Sequence, residues 1–230
     1  MTRVLVPVEV LEGETVSPGL MTLLGTVDVT VLGYHVLPEQ TPPDQARLQY
    51  EERATSALED LRQEFETAGG AADHRLVFTQ DREQTITRIA NETDARAFAI
   101  SGMTGDVDRL LVSLSGDVAT DRILTFVEEL VGDREIGVTL FFAGKKPNEQ
   151  RLEDAADRLR EAGIDVRTEL ATGDSPFTAL TEAVPGHDAV VMDEKAPSLR
   201  SLVFGDEAGR VASASVGPVL VVRYDESLDG

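Results

Sequence analysis

The sequence predicts an α/β protein made of two tandem sets of strands and helices, each set an open parallel sheet with helices on both faces. Three observations predict it. Val/Leu-rich runs such as RVLVPVEV (3–10) are apolar on both faces, as buried parallel strands are. They alternate with amphipathic helical stretches through short loops, the signature of β-α-β units. The order of segments then recurs in the second half of the 230 residues.

The elements follow in order. After RVLVPVEV, SPGLMTLLGT predicts a short helix with Ser17 as N-cap and Pro18 at its first position. VDVTVLGYHV (27–36) is a second buried strand, and Pro38, Pro42 and Pro43 mark the loop after it. A long helix runs from Asp44 to about Ala68, its apolar stripe Leu48, Ala54, Ala57, Leu58, Leu61 and Phe65, stopped by Gly69-Gly70. HRLVFTQ is a strand, REQTITRIANET a helix and RAFAIS a strand. The pattern restarts with RLLVSLSG as a strand, ATDRILTFVEELVG as a helix and IGVTLFFAG as a strand. NEQRLEDAADRLREAG is a helix on Leu152, Ala155, Ala156 and Leu159, followed by the strand IDVRTELATGD. SPFTALTEAV, capped by Ser175, is a helix, DAVVMD a strand, DEAGRVASAS a helix and GPVLVVR the last strand.

The halves overlay. VDVTVLGYHV matches EIGVTLFFAG, and residues 76–101 follow the course of 168–193, which places a boundary near Asp106. The stretch SGMTGDVDRLLVSLSGDVA (101–119) either closes the first copy as a phosphate-binding loop on Gly102, Gly105 and Gly116 or opens the second. The second alternative fits better, because RLLVSLSG parallels RVLVPVEV. It implies copies at 1–106 and 107–226, the first lacking its last helix and strand, with RAFAIS left exposed or covered by the other copy.

Composition narrows the setting. Acidic residues outnumber basic ones 42 to 21, for a net charge of −21, and only Lys145, Lys146 and Lys195 are lysines. Such a surface repels nucleic acid and anionic membranes, so neither is expected as a partner. An acid-rich, lysine-poor chain suits a salt-adapted, archaeal cytoplasm, where the Debye length falls to about 3 Å. The chain has no cysteine, which excludes disulfides, thiolate catalysis and cysteine-bound metal. No apolar stretch reaches the roughly 18 residues that span a bilayer, so a soluble, intracellular protein is expected.

The segment DAVVMDEKAPSLRSLVFGDEAGRVASASVGPVLVVR is an apolar strand, a loop, Gly205 before a helix, and a closing strand. Together with RVLVPVEV and the βα steps between, it resembles the universal stress protein family, over nearly the whole chain and in two tandem copies. The resemblance implies a five-stranded parallel sheet per copy and, in many members, bound ATP. In those binders an acid ending the first strand lies beside the nucleoside. A Gly-x-x-Gly, nine-residue, Gly-Ser/Thr loop holds the phosphates on backbone N–H groups and a helix N-terminus.

Carried onto these residues, the match is uneven. In the first copy Glu9 stands where the family has aspartate, and GMTG supplies Gly102 and Gly105. In the second, Ser115 takes the acidic position, Asp193 and Ala196 replace glycines, and Gly205 is followed by Asp206 in place of the hydroxyl residue. A carboxylate there suits the helix dipole and repels a polyphosphate. The first copy is thus expected to bind nucleotide weakly and the second to be degenerate.

No nucleophile–base pair assembles, and His35, His74 and His187 lack metal-ligand spacing, so neither catalysis nor a metal is expected. GDS (173–175) reads as helix capping, and the carboxylates of DVD (106–108) as a solvated linker. The expected function is a non-catalytic stress-response or regulatory protein. Two alternatives stand beside it: an ATP or AMP sensor using the first copy, and a soluble partner of a membrane transporter. The expected assembly is a homodimer or a pseudo-dimer of the two copies.

Overall fold

Residue alternation in β1 (Arg3–Glu9) sets the layers: Val4, Val6 and Val8 face one apolar cluster and Leu5 the other. The computed structural model describes residues 2–38, 43–145, 148–173, 175–196 and 217–224. After β1 come α1 (Pro18–Leu23), a 3-10 turn at Leu24–Thr26, β2 (Asp28–Val36), α2 (Pro43–Thr67), β3 (Ala71–Thr79), α3 (Arg82–Glu92) and β4 (Ala97–Ile100). Then follow β5 (Arg109–Ser113), α4 (Thr120–Val131), β6 (Gly137–Gly144), α5 (Glu149–Glu161), β7 (Val166–Thr172), α6 (Pro176–Ala183), β8 (Ala189–Asp193) and β9 (Val219–Val222). The helix expected at 206–215 lies outside the described residues.

The strands form one sheet, in the order β3-β2-β1-β4-β9-β8-β5-β6-β7. Two separate open sheets were the expectation. They merge because β9 pairs in parallel with β8 on one side and antiparallel with β4 on the other, which covers the edge that RAFAIS would otherwise expose. Every other pairing is parallel.

Register repeats across the sheet. Arg3 pairs with Asp28 as Arg109 does with Gly137, and Val4 meets Ala97 as Leu110 meets Ala189. The flanking bonds repeat too: Arg96 N–H donates to Arg3 O and Asp188 N–H to Arg109 O, both at 2.9 Å. By this register Glu9 corresponds to Ser115, His35 to Gly144 and Ser101 to Asp193.

Helices α1, α2, α4 and α5 cover one face, α3 and α6 the other. In α4, Ile123, Leu124, Phe126, Val127, Leu130 and Val131 are all buried, because the helix lies on β8 and β9 with α5 and the 3-10 turn against it. Each such side chain contributes about 2 kcal/mol. In α2 the packed stripe is Ala54, Leu58 and Phe65, with Leu61 half-buried against it; Leu48 is 92% exposed. Six residues before Ala54, it falls on another side of a helix with 3.6 residues per turn.

Polar ties join the two strand sets. Arg134 donates to Thr22 O at 2.7 Å and Leu23 O at 2.9 Å, and Thr26 Oγ1 donates to Leu130 O at 3.0 Å, so each set supplies a donor to the last carbonyls of the other set's helix, α1 or α4. Arg223, just after β9, donates to Ala95 O at 2.9 Å.

Candidate functional site

Ligands of open α/β sheets sit beyond the carboxyl ends of the strands. Because β4 and β9 run antiparallel, β1–β4 end at one edge of the layer and β5–β9 at the other. The expected site residues therefore fall into two groups at opposite ends of the sheet.

At the first end the chain leaves β1 at Glu9 and turns, Glu12 N–H donating to Glu9 O at 3.2 Å. That closure brings the side chains of Glu9 and Glu12 together. Residue Glu14 comes back to accept the Glu9 N–H at 2.6 Å. Burial pushes the Glu14 carboxyl up from its ordinary value, against the lowering pull of the Glu9 N–H and of Arg82. Arg82, at the start of α3, also stacks its guanidinium over the Tyr34 ring, 5.4 Å from the centroid. His35, near the end of β2, is flanked by Tyr50 and Phe78 at ring separations of 6.0 and 6.4 Å. One ligating atom from each of Glu9, Glu12 and His35 lies within 4.8 Å of the others.

Gly102 and Gly105 follow β4, and both lie at close backbone approaches. A Cβ on Gly102 would stand 2.2 Å from the carbonyl carbon and oxygen of Gly217, just before β9. The Gly105 carbonyl in turn rests on Gly19 of α1, leaving no room there for a side chain; Gly105 itself faces open space. The GMTG turn thus packs between α1 and the entry to β9. Further along, Asp108 and Arg109 donate their N–H groups to the Asp188 carboxylate at 2.9 and 3.0 Å, which anchors the linker into β5.

At the second end Ser115 is buried, and its Oγ accepts the Ala143 N–H at 2.8 Å. Asp193 is 1% exposed. Its carboxylate accepts N–H groups from Lys195 at 2.7 Å and from Ala119, the N-cap of α4, at 3.3 Å. The N-cap offers no side-chain bond of its own, so Asp193 supplies the negative charge that the helix N-terminus favours. Ala196 is buried, its N–H bonded to Asp193 O. The expected positions Gly205 and Asp206 lie outside the described residues. Outward from Asp193, Lys195 Nζ stands 3.0 Å and the Arg122 guanidinium 5.0 Å from the Tyr224 ring centroid. A cavity of about 440 Å³ opens there between Ala119, Arg122, Arg151 and Tyr224. A larger depression, about 730 Å³, is lined by α3 and its N-cap Asp81, and runs along the helix from the end of β3.

The remaining candidates settle into structural roles. Ser175 caps α6 by accepting the Thr178 N–H at 3.3 Å. His187 lies within hydrogen-bonding distance of Ala183 O and Thr139 Oγ1, at 2.9 and 2.8 Å. Sequence reasoning missed the meeting of His35 with Glu9 and Glu12. The separation along the chain hides it, and only the β1–β2 register, which sets Glu9 opposite Tyr34, makes His35 a neighbour.

No family model matches the chain, and no curated protein matches it. Among solved structures, a universal stress protein from Archaeoglobus fulgidus DSM 4304 superimposes with a TM-score of 0.67 at 18% identity, covering 98% of this chain and 97% of that one. The likeness shows a universal-stress-protein-like fold. The cytoplasmic domain of a prokaryotic cation chloride cotransporter matches with a TM-score of 0.48 at 10% identity, covering 96% of this chain and 94% of the other. Among the described residues no helix is long and apolar enough to cross a membrane.

Proposed function

We propose that the chain is two tandem universal-stress-protein-like copies, 1–106 and 107–226, acting as a non-catalytic regulatory module with degenerate nucleotide sites in a salt-adapted cytoplasm. The repeated register supports the division into copies, and the missing fifth strand of the first is replaced by β9 of the second. One observation carries the functional reading. Among the described residues, the two expected polar contacts at the second strand end are engaged in internal hydrogen bonds: Ser115 serves β6, and Asp193 serves α4 and its own loop. A nucleotide would compete there with bonds that hold the fold. At the first end a triphosphate would face Glu9, Glu12 and Glu14, and like charges repel. Gly102 spends its missing side chain on the approach of Gly217.

Equilibrium binding of ATP, with and without Mg²⁺, tests this on the full chain in molar KCl. The expected result is no binding up to millimolar nucleotide. Micromolar affinity, about −8 kcal/mol, that disappears in Glu9→Gln or Gly105→Ala would establish a nucleotide sensor instead. Gly105→Ala suits the purpose because a Cβ there meets nothing within 4 Å.

A further inference from the structure

We infer that Glu9, Glu12 and His35 form a binding site for a divalent first-row transition-metal ion, clipping the turn after β1 to the end of β2. The ligating atoms, one per residue, lie within 4.8 Å of one another. Bonds of about 2.1 Å in a tetrahedral site set neighbouring ligand atoms about 3.4 Å apart, so small side-chain rotations close the shell. Independently of that proximity, His35 Nδ1 is buried without a hydrogen-bond partner among the described residues. A buried polar atom left unpaired calls for a partner, and an ion is one.

The surroundings suit a ligand set. The His35 ring packs against Tyr50 and edge-on to Phe78, contacts that restrict its rotation. Glu9 and Glu12 are fixed relative to each other by the turn that Glu12 N–H closes on Glu9 O, and Glu14 braces it through the Glu9 N–H. One imidazole with two carboxylates favours zinc, manganese, cobalt or nickel over magnesium and calcium, which prefer all-oxygen shells. Three protein ligands leave a position for water or for a donor atom from a partner. A bound cation also relieves the repulsion between two adjacent carboxylates.

The test titrates Co²⁺ into the chelator-stripped full chain in molar KCl and follows visible d–d absorption, with Zn²⁺ as competitor. One equivalent of Co²⁺ giving a saturable band that Zn²⁺ abolishes is the expected result. Affinity should drop roughly 100-fold in His35→Asn and in Glu12→Gln, since even residues that merely orient ligands cost 10–100-fold. Glu12 is exposed, so its variant keeps the fold and isolates the ligand effect. Absence of a saturable band, or wild-type affinity in both variants, overturns the site. ATP binding and Co²⁺ binding are read separately, so failure of the metal site leaves the nucleotide reading standing, and the reverse holds.

Discussion

The turn after β1 and the turn after β5 occupy equivalent places in the register yet carry opposite chemistry. Nine positions separate Glu9 from the start of α1 at Pro18; five separate Ser115 from the start of α4 at Thr120. The four additional residues make room for Glu12 and Glu14, and the first end is acidic. The shorter second turn lets a buried Asp193 cap α4, and Arg122, Arg151 and Lys195 outnumber Asp121 outside it. One backbone plan thus carries two different strand ends, and loop length with a few substitutions sets the chemistry of each.

The sharpest break of the comparison separates the halves. A chain ending at Asp106 leaves the β4 edge without β9 and should aggregate, whereas 107–230 keeps all five strands of its own set and should unfold cooperatively in denaturant. A soluble 1–106 with a non-cooperative 107–230 would reverse the proposed boundary. Next in size, Gly102→Val drives a side chain into the Gly217 backbone and should cost about 3 kcal/mol or more, measured by denaturant unfolding. Wild-type stability in that variant would remove the close approach as the reason for glycine.

The pair Asp193 and Ser101 sharpens the contrast further. Asp193→Ala leaves the Ala119 and Lys195 N–H groups unpaired and should cost about 2–3 kcal/mol. Ser101 Oγ is buried with no partner among the described residues, so Ser101→Ala should leave stability unchanged or raise it. Equal losses at both positions would show that the capping contact is not what distinguishes them.

The smallest effect is electrostatic. Asp165 accepts a bond from Arg109 at 2.6 Å, which holds its carboxyl below the ordinary value of 3.8; the corresponding residue in the first set is Ala71. A depressed folded value means stability that is present above pH 3.8 and is lost as pH falls through the folded value. Asp165→Asn should therefore differ from wild type at neutral pH and converge with it in acid, with a gap that narrows as salt screens the exposed pair. A gap that persists at the acid end would assign the effect to packing.

Much of the fold was legible because it depends on local pattern. Apolar runs, Ser17 and Ser175 at helix starts, and the parallel between RVLVPVEV and RLLVSLSG gave each described strand and α-helix within a few residues of its observed span. Leu48 was misplaced because an apolar residue near a stripe reads as part of it until the angle is counted. The joining of the strands into one sheet depends on β9 reaching across to β4, a long-range pairing without a sequence period. At the candidate site, Glu9 and Ser115 were singled out by the family resemblance, which points to the residue ending the first strand of each copy. His35 was not, because its neighbours are set by register between strands rather than by spacing along the chain.

The place of β9 has a consequence for biosynthesis. Of all the strands described it leaves the ribosome last, and it occupies the middle of the sheet. Until residue 222 emerges, β4 and β8 both present open edges, and the nascent chain holds two unfinished sheets with sticky borders. The final strand seals both at once through contacts more than 100 residues apart on the β4 side. Such late, non-local closure slows folding and lengthens the interval in which a second nascent chain could supply the missing strand.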